Sequence, residues 1–205
     1  RTRAEFLAEN ERNDDISFVE VGVVDAAEFE CHIDKTPDAL SIKPGEWRLN
    51  YTIESLAIKR YDPIPLVLHA IMEQSSLHLH SGKLFSILSE LYNNALDHGL
   101  LGLDSSLKHQ ANGFEQYYQQ RLQRLEALDH GHISFNLHYR ATESEGRLII
   151  EVADSGPGFD FTNMAANDSA DAKLYGRGIL LLQSICERVE FLDAGNRIQA
   201  EFRWD

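Results

Sequence analysis

The chain has 205 residues, of which 43% are hydrophobic and 25% are charged, and its net charge is −14. This length predicts one sizeable domain, and the apolar share is typical of a packed core rather than a disordered chain. The acidic excess argues against binding to nucleic acid or to an anionic membrane, since both need a basic protein surface.

The cysteine and hydropathy patterns favour a cytoplasmic protein. Cys31 and Cys186 are the two cysteines, and they lie too far apart in sequence to form a disulfide framework. No apolar run approaches the length of a membrane span, and we expect no signal peptide.

The chain before residue 46 predicts a short leading segment and a linker. Residues 1–24 read as a charged helix followed by a strand in which Ile16 and Phe18 alternate with polar residues. Residues 25–45 show no sustained period and predict a linker. The main domain is therefore expected at residues 46–205.

The next elements are a strand and a helix. Apolar and polar residues alternate over 46–53, which predicts a strand. Pro63 and Pro65 favour the start of a helix that runs to about Gln74, because proline fits the first turn of a helix and breaks later turns.

Residues 84–99 predict the helix around which the domain is organised. Its apolar stripe is formed by Leu84, Ile87, Leu88, Leu91 and Ala95. Glu90 and Asn94 share another face, Asp97 lies near that face, and His98 follows one turn after Asn94. Gly99 is expected to end the helix. Such a polar row can hold a hydrated cation beside a base, or it is simply the solvated edge of an amphipathic helix.

Residues 100–131 form an insert with its own predicted helix, around 113–129. Phe114, Tyr118 and Leu125 lie on roughly one face of that helix. The stripe either packs on its own domain or offers a docking surface for a partner or a second copy.

The remaining pattern completes an α+β domain. It predicts a two-layer sandwich, with a mixed sheet covered on one face by helices. The predicted elements are strands at 132–139 and 147–152, a lid at 159–175, a helix at 178–187, and a final hairpin of 189–192 and 198–204.

Two glycine-containing motifs follow this order. Asp154 precedes Gly156 and Gly158, so its carboxylate can accept a hydrogen bond from an exocyclic amine while the glycines let the backbone approach a flat base. Residues 176–178 are Gly176, Arg177 and Gly178, which stand at a predicted helix start, where free N–H groups and an arginine favour phosphate oxygens.

The order Glu-x-x-x-Asn-Ala-x-x-His-Gly, Asp-x-Gly-x-Gly and Gly-x-Gly resembles the GHKL (Bergerat-fold) ATP-binding superfamily. The amino-acid sequence of residues 90–99 is most similar to the anti-sigma-factor serine kinase branch of this superfamily. The resemblance implies ATP and Mg²⁺ as cofactors, Glu90 as the catalytic base and Asn94 as the magnesium ligand. It also implies that Asp97, His98 (in a structural role), Asp154 and the glycine motifs form the ATP site.

Two departures from this superfamily concern the ATP site. Leu180 stands where many members have another glycine, and a threonine common in the last hairpin has no clear match, Asn196 being the nearest polar residue.

The leading segment resembles the closing strand of the metal-dependent serine phosphatases often fused to such kinases. Asp14 matches a metal ligand of that family, but the other ligands are absent, so no phosphatase activity is expected. A simple leading strand is the alternative.

These observations predict a serine/threonine kinase that phosphorylates a small anti-sigma-factor antagonist. A sigma factor and a second copy of the chain are possible further partners. The alternative is an ATP-gated protein-binding module with little or no phosphotransfer, which the unusual glycine motif favours.

Overall fold

A computed structural model describes residues 42, 44–104, 107, 112–158 and 177–205, with the side chain of Arg177 excepted. The chain divides into two units, Arg1–Thr36 and Pro37–Asp205. The predictions for residues 1–24, including Asp14, and for most of the 25–45 linker lie outside the described residues. The description below concerns the second unit alone.

The described elements follow the predicted order of strands and helices. Their bounds are β1 Gly45–Glu54, α1 Ser55–Ile58, α2 Ile64–Met72, a 3₁₀ helix Ser75–His80, α3 Ser81–Asn93, a π-helix Asn94–Leu100, α4 Gly113–Glu126, β2 His132–Ala141, β3 Gly146–Asp154, α5 Arg177–Ile185, β4 Arg188–Leu192 and β5 Arg197–Trp204. None of these helices is long and apolar enough to cross a bilayer.

The five strands form one sheet in the order β1-β2-β3-β5-β4, which confirms the predicted α+β class. The prediction of a mixed sheet is wrong for these strands, because all four pairings are antiparallel. Strands β3 and β4 run in the same direction, but the final hairpin inserts β5 between them. Every neighbouring pair therefore runs in opposite directions.

The core lies between one face of the sheet and the helices. The predicted alternation puts Phe135 and Leu137 of β2, and Leu148 and Ile150 of β3, on the covered face, all at most 2% exposed. Burial of each such side chain contributes about 1.5–3 kcal/mol before entropy is counted. The opposite face carries ion pairs, such as the Arg147–Glu201 pair at 2.6 Å.

The predicted stripe on the organising helix is confirmed, but the end of that helix differs from the prediction. Leu84, Ile87, Leu88 and Leu91 are fully buried and Ala95 is nearly so. After Asn93 the helix winds as a π-helix through Leu100, so Gly99 does not end it. Gly102, with φ +57°, takes the left-handed position that follows the helix end.

The inserted helix is confirmed as α4, and its apolar residues divide between two faces. Tyr117 is 1% exposed and Leu125 packs against the core. By contrast Phe114, Tyr118 and Leu122 are 59–60% exposed. The helix therefore packs on its own domain through Tyr117 and not through the predicted Tyr118, while docking of a partner or second copy stays a prediction.

Candidate active site

Asp154 ends β3 and is held in a buried position by backbone contacts on both sides. The residue is 8% exposed, and its Oδ1 accepts a hydrogen bond from the Gly156 N–H at 2.8 Å. Burial raises the pKa of Asp154 to about 6, while the bond from Gly156 opposes that rise. A buried carboxylate at the end of a strand is suited to accept a hydrogen bond from an amine.

Gly99 of the π-helix lies directly on Asp154. A Cβ at Gly99 would overlap the Asp154 carboxylate, and a Cβ at Gly156 would overlap the Gly99 carbonyl. These close contacts bring two of the predicted motifs together. They also leave no room for a side chain at Gly99 or Gly156. Gly158 turns with φ +74° and lies against the Ala194 carbonyl of the last hairpin.

Asn196 supports Asp154 from the last hairpin. Its Nδ2 donates to the Asp154 carbonyl at 3.1 Å, and the Asp154 N–H donates to the Asn196 carbonyl at 2.9 Å. The Asn196 Oδ1 is buried and has no hydrogen-bond partner in the described part of the chain. A polar ligand beside Asp154 would satisfy this oxygen.

Glu90 brings α3 to the first turn of α5. A Cβ at Gly178 would overlap the Oε2 of Glu90, so the carboxylate lies directly against the α5 backbone. The N-terminus of a helix attracts phosphate groups through its free N–H groups and its dipole. The predicted base thus lies beside the predicted phosphate site.

Asn94 begins the π-helix, four residues after Glu90. Its N–H donates to the Glu90 carbonyl, while its side-chain Nδ2 is buried without a partner among the described residues. An amide held in this way fits a ligand that accepts a hydrogen bond from Nδ2 and a cation that Oδ1 binds. Mg²⁺ takes few protein ligands and keeps phosphate and water oxygens, so Asn94 would hold it only together with the phosphates of a bound nucleotide.

Asp97 has contacts that differ from its predicted role in binding a cofactor. Its Oδ2 accepts from the Tyr117 hydroxyl at 2.9 Å and its Oδ1 accepts from Arg121 Nε at 2.7 Å. Both oxygens are therefore engaged by α4, which argues against direct nucleotide contact. Direct contact by Asp97 stays a prediction.

His98 is exposed and takes a structural contact. Its Nδ1–H donates to the Leu103 carbonyl at 2.8 Å and holds the turn after the π-helix. Gly176, the side chain of Arg177 and the predicted lid at 159–175 lie outside the described residues.

A cleft of about 380 Å³ lies between the α1–α2 loop, α3 and α4, and none of the predicted site residues lines it. Tyr61, Tyr92, Asn93 and Arg121 are among its lining residues. Asn93 therefore points to a different side of the helix from the cluster at Glu90. Within the described ranges, no group of three or more His, Cys, Asp or Glu side chains could hold a metal ion.

Three functional contacts could not be assigned from the sequence. Asn196 was only the nearest polar residue to an expected threonine, and its bond to Asp154 depends on the hairpin register. Tyr117 and Arg121 belong to no recognisable sequence motif. Asp97 was the available signal, because a buried carboxylate needs donors and the insert supplies them.

The comparison with protein families agrees with this geometry. The sequence pattern of the histidine kinase-like ATPase domain matches residues 67–202, about two thirds of the chain. A comparison with curated proteins finds no match. The resemblance to the GHKL superfamily is confirmed, while the anti-sigma branch and the phosphatase tail stay predictions. With Asp154, Gly99, Glu90 and Gly178 brought together in this way, the chain belongs to the histidine kinase-like ATPase family, whose domain binds ATP for phosphotransfer or hydrolysis.

Proposed function

We propose that the domain is a Mg·ATP-dependent serine/threonine protein kinase that phosphorylates a small anti-sigma-factor antagonist. The observation that carries the proposal is the contact between the Glu90 carboxylate and Gly178 at the start of α5. In this position Glu90 can accept the proton of an attacking hydroxyl while the helix terminus stabilises the transferred phosphoryl group. The amino-acid sequence of residues 90–99 supports the anti-sigma branch.

The chain's own residues divide the work of binding. Asp154 accepts the adenine amine and Asn196 presents an oxygen beside it. Asn94 would hold Mg²⁺, which supplies neutralisation of charge on the phosphates when it is bound. Glu90 orients and deprotonates the acceptor serine or threonine.

The test is transfer of the γ-phosphoryl group from labelled ATP to a candidate antagonist. Glu90→Gln keeps the size of the side chain at Gly178 but removes its basicity, so we expect transfer to fall by about a hundredfold or more with ATP binding retained. Glu73→Gln is the matched control, because Glu73 is an exposed carboxylate that pairs with His69. Undiminished transfer by Glu90→Gln would remove Glu90 as the base.

The ATP-gated binding module is the second candidate. Leu180, at the position of a family glycine, is 46% exposed on the first turn of α5 and offers an apolar contact for a protein. Tight ATP binding by the wild type, with ATP-dependent capture of the antagonist and no phosphoryl transfer to it, would select this function.

A further inference from the structure

The π-helix that carries Asn94 is held from outside by α4. A π-turn is rare because its hydrogen bonds span five residues, and here the Leu101 N–H donates to the Leu96 carbonyl at 2.8 Å. Such a turn needs support from the surrounding structure. Helix α4 supplies side-chain hydrogen bonds to the π-helix and the turn after it from Tyr117, Arg121 and Arg124.

The contacts from α4 to Asp97 are largely shielded from solvent. The Asp97 side chain is 10% exposed, and the Arg121 side chain that donates to it is 25% exposed. Burial raises the pKa of Tyr117, which therefore stays protonated as a donor to Asp97. Arg124 donates to the carbonyls of Leu101 and Gly102. Together these bonds fix the middle and the end of the π-helix.

The winding of this segment decides which residues face the site. Compared with an α-helix, a π-turn accommodates one additional residue, and one residue corresponds to a rotation of about 100° around an α-helix. If the segment relaxed to α-helical winding, Gly99 would rotate away from the Asp154 carboxylate that it now contacts. Asn94 lies before this change of winding and would keep its place, because its N–H donates to the Glu90 carbonyl as in an α-helix.

We propose that Tyr117 and Arg121 are positioning residues of the ATP site, acting through Asp97 to keep the π-winding that holds Gly99 against the Asp154 carboxylate. The inserted helix is then part of the nucleotide-binding machinery and not an appendage. This inference rests on the proposed contact of Asp154 with the adenine of ATP.

The experiment compares wild type with Arg121→Gln and Tyr117→Phe by calorimetric titration. Three ligands are used: ATP with Mg²⁺, ATP without Mg²⁺, and adenosine. We expect both variants to bind Mg·ATP about tenfold more weakly, since weakening a hydrogen bond to a charged group costs up to about a hundredfold in affinity. Adenosine binding should weaken by the same factor because Gly99 no longer supports Asp154, whereas the factor by which Mg²⁺ tightens ATP binding should stay as in the wild type, because Asn94 keeps its bond to the Glu90 carbonyl.

The affinity for adenosine separates positioning from mere stabilisation. A purely structural role for α4 would lower the midpoint of thermal unfolding but leave the affinities of the folded molecules unchanged. Arg140→Gln is the matched control, because this exposed arginine on β2 pairs with Glu46 and lies on the open face of the sheet. It should bind all three ligands as the wild type does.

The outcomes distinguish failure of the positioning role from failure of the proposed ATP site. If folded Arg121→Gln and Tyr117→Phe both keep wild-type affinities, the positioning role is wrong and the ATP site stands. If the wild type itself does not bind ATP, the proposed ATP site is wrong. Should Arg121→Gln fail to fold, Tyr117→Phe, which removes a single hydroxyl and keeps the ring, decides the question.

Discussion

The two halves of the helix that carries Glu90 and Asn94 are held in different ways. The α3 half, Ser81–Asn93, is fixed by a fully buried apolar stripe on the sheet. The π half, Asn94–Leu100, also buries Ala95 and Leu96, but it is held in addition by polar bonds from α4 and by the contact of Gly99 with Asp154. Apolar packing tolerates small shifts, whereas directional bonds do not.

This difference indicates how the domain separates stability from binding. The α3 half contributes chiefly to the free energy of unfolding. The π half places the groups predicted to contact the nucleotide, so changes there should act first on affinity. The following predictions test that division.

Leu88→Ala in the α3 half should have the largest effect on stability. Leu88 is fully buried, and truncation of such a side chain costs about 2–5 kcal/mol through lost burial and the remaining cavity. Urea unfolding measures the loss. Titration with ATP well below the midpoint should give the wild-type affinity, and a large loss of affinity would contradict the division.

Gly99→Ala in the π half should have the largest effect on binding. The added methyl group would overlap the Asp154 carboxylate, so either the carboxylate or the π-helix has to move. We expect affinity for adenosine to fall by up to about a hundredfold, because the loss of a hydrogen bond to a charged group costs about 1.5–3 kcal/mol. Wild-type affinity in this variant would show that Asp154 does not contact the base.

The affinity for adenosine should depend on pH through Asp154. Burial raises the pKa of Asp154 to about 6, and an amine donor binds best to the ionised carboxylate. Affinity should therefore be full above pH about 6 and fall on acidification, by at most about tenfold per pH unit for a single proton. Adenosine is used because it lacks the phosphates, which titrate in the same range.

Asp154→Asn is the control for that pH dependence. It should bind adenosine weakly and equally at pH 5 and pH 8. A pH dependence that survives in Asp154→Asn would show that a group other than Asp154 is responsible for it.

Gly82→Ala in the α3 half should have the smallest effect, and one of opposite sign. A Cβ at Gly82 meets no atom within 4 Å, and the residue lies in the first turn of α3. Alanine favours a helix by up to about 1 kcal/mol over glycine, so the free energy of unfolding should rise. Differential scanning calorimetry checks this, and destabilisation would mean that the start of α3 is not the regular helix described.

Periodicity predicted most of the fold and the positions of the motifs. The spacing of the apolar residues from Leu84 to Ala95 fits a helix, and the alternation of apolar and polar residues in β2 and β3 fits a strand. The π-winding could not be predicted, because a single π-turn adds one residue to an otherwise α-helical pattern and has no sequence motif of its own. Tyr117 and Tyr118 are adjacent aromatics on one helix, and only the need of buried Asp97 for donors decides which of them faces inward.

The contact of Gly99 with Asp154 could not be predicted from the sequence either. A glycine after a histidine reads equally well as a helix end, and the close approach depends on the distance between the π-helix and β3. The Asp154 and Gly178 motifs were recognisable in the sequence, but the contacts of Asp154 with Gly99 and of Gly178 with Glu90 depend on how the helices pack on the sheet.

Both tryptophans of the chain lie at the end of the sheet away from Asp154. Trp47 stacks on Tyr139 with ring centroids 5.3 Å apart, and Trp204 pairs with Gly146 at the opposite end of β3 from Asp154. Eight residues of strand separate that end from Asp154, a distance of about 26 Å. Their intrinsic fluorescence should therefore follow the unfolding of the sheet with little direct quenching by a bound nucleotide, which gives the domain a natural spectroscopic probe of folding.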